Sequence, residues 1–368
     1  MKFPPVPAPE MARFEAARRT LDGKTKPPGS LGRLEHLAAR LCAIQDRAVP
    51  DLKRVRAVIF AGDHGVTQCE AVSPYPREVT AQMLLNFAQG GAAASVLSHA
   101  GRVELQVVDV GVDADLSDLP LTADMAAPRA SASILHRKVR RGTRPFTLEA
   151  ALSLSEAEQA LEVGLGIGLE CGREGIGALA LGEMGIGNSS SAAALLSLLL
   201  GEAPPRTTGR GTGLDDEGYR AKIAVIERAV HLHDAACTPM EMLCAVGGLE
   251  IAALAGACIG ASSVRVPLVV DGFIATVAAL LATRLVAPSQ SEYVRDAVLF
   301  SHQGSEPGHA LALRALGANG ESATRPLLDF EMRLGEASGA ILVVPLLHSA
   351  AALFEMASFE NAGVSQPA

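Results

Sequence analysis

The chain has 368 residues, with 32 Lys plus Arg against 40 Asp plus Glu and a formal net charge of -8. An acidic balance without a long basic run argues against nucleic acid, and the lack of Trp with only three Tyr argues against stacking platforms for single strands. With 49% hydrophobic and 20% charged residues the chain is globular, and long enough for one large domain plus a small one or for two medium domains.

Abundant Ala, Leu and Gly suit helices packed on a parallel sheet, an α/β class. The six cysteines (Cys42, Cys69, Cys171, Cys237, Cys244 and Cys258) form no C-x-x-C pair, so neither a zinc site nor a disulfide framework is suggested, and a reducing cytosol fits. The first residues, Met1 to Glu15, lack the apolar core of a signal peptide.

Helices are expected over residues 8–20 and 31–46, joined by the basic turn Lys24 to Arg33, with Ser30 as N-cap of the second. Arg56 to Ala61 reads as a buried strand, followed at once by Gly62-Asp63-His64-Gly65. Asp63 and His64 are either an acid/base pair at a strand end or, the favoured reading, groups that satisfy a turn. The rigid Val72 to Pro76 loop leads into a helix over residues 78–98 that Gly90-Gly91 either packs or breaks. Leu105 to Val110 is a second strand, and residues 114–145 read as a long irregular connection.

Ser155 and Glu158 have capping-box spacing ahead of a helix with an apolar stripe through Ala160, Leu161 and Gly168. The strand Ile176 to Leu181 ends in Gly182-Glu183-Met184-Gly185-Ile186-Gly187-Asn188, before Ser189 to Ser191 and an apolar helix. Such a turn offers backbone N–H groups at a positive helix end, which suits a monophosphate or a carboxylate. It lacks the spacing for a dinucleotide or a triphosphate.

A second glycine-rich loop, Thr207 to Gly213, precedes Asp215-Asp216 and a helix bearing Lys222. The two aspartates suit a helix N-terminus better than magnesium, and Lys222 by itself reads as a solvated helix lysine. Leu243 to Ala261 reads as a buried helix rather than a membrane span, because Glu250 sits within it and Gly247-Gly248 breaks it early. Val266 to Val270 and Asp296 to Phe300 are further strands, ending in Asp271-Gly272-Phe273 and in Ser301 to His309, whose histidines are read as ordinary hydrogen-bonding groups. So many small or polar strand ends predict one pocket on one edge of a parallel sheet.

Glu336, in Gly335-Glu336-Ala337-Ser338-Gly339, is either a partly desolvated base or an acidic residue in the first turn of the apolar helix that follows.

Five segments in order resemble the nicotinate-nucleotide:dimethylbenzimidazole phosphoribosyltransferase family: Lys26 to Glu35, Ala61 to Val66, Gly182 to Asn188, Val269 to Phe273, and Met332 to Glu336. The resemblance implies transfer of the ribose phosphate of nicotinate mononucleotide to 5,6-dimethylbenzimidazole, giving α-ribazole 5′-phosphate and nicotinate with inversion. It implies a Rossmann-like parallel sheet (residues 51–339), a small helical domain from both chain ends (1–50 with 340–368), and a cytoplasmic homodimer needing no cofactor or metal. Glu336 would be the general base and Glu183 a secondary acid/base or orienting group. The turn with Gly185, Gly187 and Asn188, then Lys222 and the Gly304-Ser305 loop, would hold the phosphate. Ser73, Gln82, Met184 and Leu334 would line or adjoin the aromatic base.

Three departures stand out: Gly304-Ser305-Glu306 replaces the family's common Ser-Ala-Glu, the Ser73 loop is long, and residues 317–324 look inserted. The alternatives are a non-catalytic nucleotide- or base-binding protein, or the same transfer to adenine or a phenolic. An oxidoreductase would need G-x-G-x-x-G after an early strand, and a pyrophosphate-dependent transferase would need paired acids after an apolar strand.

Overall fold

The computed structural model describes residues 1–116, 132–318 and 324–365. Six parallel strands form one sheet: β1 Val55–Gly62, β2 Glu104–Gly111, β3 Ser133–His136, β4 Ala178–Met184, β5 Leu268–Val270 and β6 Val298–Phe300, in the order β3-β2-β1-β4-β5-β6. The chain builds outward from β1 to β3, then returns to place β4 on the other side of β1. The crevice beyond the carboxyl ends of β1 and β4 is the switch point at which such sheets bind ligands. Register aligns Phe60 with Glu183 and Ala61 with Met184, which puts the glycine-rich turn level with the end of β1.

β1 is buried along its whole length, as a central strand covered on both faces must be. Its side chains alternate: Val58 and Phe60 enter one core, Ala57, Ile59 and Ala61 the other. On the first face, helices Leu154–Arg173 and Leu249–Ser263 pack almost backbone to backbone, because a Cβ at Gly164 would lie 1.7 Å from Ala253 O and one at Gly256 2.1 Å from Leu161 O. The second face carries helices Arg33–Gln45, Val79–Ala88, Ala93–Gly101 and Ser338–Ala352. The two chain ends meet there. Lys24 Nζ donates to Phe354 O and Met356 O at 2.7 Å each, and Lys26 pairs with the buried Glu35 at 2.9 Å.

Several local expectations are corrected. Ser30 is not a cap: turns closed on Pro27 O and Gly29 O carry the chain past it, and the helix begins at Arg33 after Gly32. The capping box is Ser153 with Glu156, two residues earlier than expected, and Ser155 instead accepts from Gln159 within the helix. Residues 78–98 form two helices broken at Gly90-Gly91, and Gly247-Gly248 likewise divides Pro239–Val246 from Leu249–Ser263. β3 lies inside the stretch expected to be irregular, where its partner β2 supplies the pairing that weak periodicity hid; residues 117–131 of that stretch, and 319–323 of the insertion, lie outside the described residues. Asp215 caps its helix through Gly218 N–H, 2.8 Å. By length and composition alone Ser338–Glu355 could cross a membrane, but half of that window is buried within the fold.

Candidate active site

The end of β1 is structural. His64 Nε2 lies 2.7 Å from Glu250 Oε1, both fully buried, and Asp63 Oδ2 accepts from Asp113 N–H at 2.8 Å. The Asp63 contact bears out the favoured reading of that residue as a group that satisfies a loop, whereas the His64 ring pairs with the side chain of Glu250 on the Leu249–Ser263 helix.

A cleft opens beyond β4, β5 and β6. Glu183, the penultimate residue of β4, lies on its wall and is only 7% exposed. Burial pushes its pKa well above the usual carboxylate range, and the charges of Asp271, Glu250 and Glu336 push the same way. Asn188, the first residue of the Asn188–Leu200 helix, donates from Nδ2 to Glu183 Oε2.

Glu336 hangs from a backbone that L-residues rarely adopt. Gly335, Glu336 and Ala337 are successively left-handed, at φ 88°, 60° and 58°. Three contacts hold the turn. Glu336 N–H donates to Glu183 O at 3.3 Å, and Ser338 Oγ–H to Gly335 O at 2.6 Å. Gly182 lets the chain pass, since a Cβ there would lie 2.1 Å from Ala337 N. The Ser338–Ala352 helix has no cap of its own; Asp271 Oδ1, across from β5, accepts from Gly339 and Ala340 N–H at 2.7 and 3.2 Å. Glu336 therefore precedes the helix rather than sitting in its first turn, which removes that alternative. Burial raises its pKa, opposed by the Ala94 backbone N–H at the start of the Ala93–Gly101 helix. Asp271, fully buried, is pushed up to about 7, chiefly by desolvation.

At the other end of the cleft Lys222 corrects the solvated reading: it is 1% exposed, and its Nζ donates to Ser189 Oγ at 2.8 Å. The long stem lies inward because Val225, Ile226 and Ala229 of the same helix are buried. Desolvation lowers its pKa to about 8, and the Glu306 charge opposes that. Glu306 Oε1 accepts from Gly211 N–H at 2.9 Å, tying the second glycine-rich loop to the loop after β6.

The cleft brings together Glu183, Met184, Gly185, Asn188, Gly304, Ser305 and Leu334, with Lys222 behind Ser189 and Gly211. Glu336 adjoins it through Gly335, and Gly187 packs inward on Thr67 and His64. Two residues expected beside the aromatic base are not among those lining the cleft: Gln82 is exposed on the Val79–Ala88 helix, and Ser73 Oγ accepts from Tyr75 N–H. Nor are all the turn's N–H groups open. Ile186 N–H donates to Thr80 Oγ1 and Asn188 N–H to Gly185 O, each at 3.1 Å, while Gly304 N–H donates to His309 Nδ1 at 3.0 Å. Sequence reasoning gave no role to Asp271, Phe273 or Met332; Asp271-Gly272-Phe273 at a strand end was the signal available for the first two. Among the described residues, no group of three or more His, Cys, Asp or Glu could hold a metal ion.

A phosphoribosyltransferase family model matches residues 6–364. The chain is 43% identical over 367 residues to the nicotinate-nucleotide–dimethylbenzimidazole phosphoribosyltransferase of Geobacter sulfurreducens, covering 99% of this chain and 97% of the relative. It belongs to that family. A relative of the same name from Bradyrhizobium sp. is 47% identical over 362 residues, covering 98% and 96%. The crystal structure of CobT from Thermus thermophilus matches with a TM-score of 0.86 at 43% identity, covering 97% of this chain and 100% of that one. Membership in this phosphoribosyltransferase family sets aside the oxidoreductase and the pyrophosphate-dependent transferase.

Proposed function

We propose that the chain transfers the 5-phosphoribosyl group of nicotinate mononucleotide to 5,6-dimethylbenzimidazole, releasing nicotinate and α-ribazole 5′-phosphate. The observation that carries the mechanism is Glu336, a buried carboxylate with a raised pKa beside the apolar end of the cleft, where Met184, Met332 and Leu334 gather. Glu336 takes the N–H proton of the benzimidazole as its other ring nitrogen attacks the anomeric carbon. A new C–N bond forms on the α face while the bond to nicotinate breaks on the β face. The released electron pair neutralises the pyridinium nitrogen, so nicotinate leaves without a pyrophosphate to expel and without need of magnesium. Glu183, its pKa raised by burial and by the neighbouring carboxylates, orients groups at the reacting centre. Lys222, Ser189 and the Ser305 loop receive the phosphate.

Positioning and one proton acceptor supply much of the rate. An apolar base site discriminates only modestly among acceptors differing by a methyl group, so adenine and phenolics belong in the same assay. The two chain ends form the small helical unit of a cytoplasmic homodimer in this reading. The contacts of Lys24 with Phe354 and Met356 support the joining of the two chain ends, and the exposure of the large apolar side chains Phe330 and Leu334 supports a face covered by a second copy.

The test is a product assay with both substrates and no added metal. Formation of α-ribazole phosphate by mass supports the reading; tight mononucleotide binding without transfer would replace it with the binding-protein alternative.

A further inference from the structure

We propose that His309 is a positioning residue for the mononucleotide, acting as a neutral imidazole with its proton on Nε2 to set the loop that carries Ser305. The tautomer follows from the partners. Gly304 N–H is a donor, and it meets His309 Nδ1 at 3.0 Å, so Nδ1 must accept. Nε2 then bears the proton and donates to Thr276 Oγ1 at 3.1 Å, whose own proton goes to Gly272 O at 2.8 Å. The chain of donors has one direction, and it joins the loop after β6 to the loop after β5. His309 is fully buried, and burial together with the neighbouring His302 ring lowers its pKa to about 3, so the neutral form persists throughout the working range.

Two residues beyond Gly304, Glu306 extends the linkage to a third loop through Gly211 N–H. The three loops wall the end of the cleft that faces Lys222. Gly304 is fitted to this arrangement: a Cβ there would lie 2.7 Å from His309 Nδ1. The buried run from Gly304 N–H through His309 and Thr276 to Gly272 O has each of its donors paired, and such a run fixes geometry where glycine-rich loops alone would wander. The inference rests on the proposed reaction, because it assigns the wall to the nucleotide rather than to the acceptor base.

The experiment combines nitrogen NMR of histidine-labelled protein with kinetics of His309→Ala, His309→Gln and Gly304→Ala. We expect a His309 signal with bare Nδ1 and protonated Nε2, unchanged between about pH 6 and pH 8. In His309→Ala and Gly304→Ala the KM for nicotinate mononucleotide should rise about tenfold, with the KM for dimethylbenzimidazole unchanged. His309→Gln, which can both accept and donate, should recover most of the loss. A protonated Nδ1, or equal effects on both substrates, would overturn the proposal, and so would failure of the glutamine to rescue. The NMR result on the wild-type chain stands even if the alanine variant does not fold. Failure of the wild-type chain itself to bind the mononucleotide would overturn the proposed reaction and this assignment of the wall together, and the tautomer would still be read.

Discussion

The two ends of the cleft use burial in opposite ways. At the carboxylate end Glu183, Asp271 and Glu336 are buried and all held above the usual carboxylate range. At the nucleotide end a single lysine, Lys222, is buried and held below the usual ammonium range, at about 8. One cause explains both, since a low-dielectric surrounding disfavours whichever form is charged. The backbone differs as well. The carboxylate end hangs on a run of left-handed residues pinned by Gly182 and Asp271, whereas the nucleotide end rests on glycine loops linked by the imidazole of His309 and the carboxylate of Glu306. On the proposed mechanism the first end serves proton transfer and the second holds the phosphate, and substitutions should separate them.

The largest effect should come from Glu336→Gln. Loss of the base should lower turnover by roughly 10²- to 10⁴-fold while the KM for the mononucleotide and the melting temperature stay close to wild type. Near-normal turnover would show that the strained turn presents something other than a base. The wild-type pH profile carries the same claim. The base works only when ionised, so kcat/KM should fall on acidification through a pKa above the ordinary glutamate value, in the direction burial sets.

Lys222→Ala should have the next largest effect, on the other end alone. The KM for the mononucleotide should rise about 10- to 100-fold and the KM for the base should hold. Lys222 is protonated below about 8, so its charge is lost as pH rises through that value, and the wild-type kcat/KM should decline there. Steady-state kinetics between pH 6 and pH 9 would check this: the alkaline decline should vanish in the variant, and its persistence would assign it to another group.

These two ends were unequally legible in the sequence. Except for β3, the strands, their polar ends and the pocket beyond them follow from local pattern, because an apolar run ending in glycine and a polar residue reports its own environment. Glu336 was readable as a partly desolvated carboxylate for the same reason. Lys222 was misread. A lysine on a helix looks solvated by residue type, yet Lys222 shares a face with the buried Val225, Ile226 and Ala229; that stripe was the available signal, and only its partner Ser189 is distant in the chain. Asp271 was missed likewise, since the helix it caps begins at Ser338. Ser73 and Gln82 rest on family resemblance alone, and neither is among the residues lining the cleft.

The smallest effect expected is on stability, from Asp271→Asn, and its sign tests the account of the carboxylate end most directly. The folded pKa of Asp271 is about 7 against an ordinary value of 3.8, so folding favours the protonated form. The associated stability is fully present below about pH 4 and is lost as pH rises through about 7. An asparagine keeps the shape and a carbonyl acceptor for the Gly339 and Ala340 N–H groups but has no charge to desolvate. At pH 8 the variant should therefore be more stable by about 1–2 kcal/mol, a gain in melting temperature of about 1–3 °C, and at pH 4 the difference should vanish. The full shift would suggest more, but an amide accepts more weakly than a carboxylate and so returns part of the gain. Melting curves at the two pH values decide the matter. A variant less stable than wild type at pH 8 would mean that charged hydrogen bonds to the helix N-terminus outweigh desolvation, and that this end of the cleft holds its carboxylates ionised.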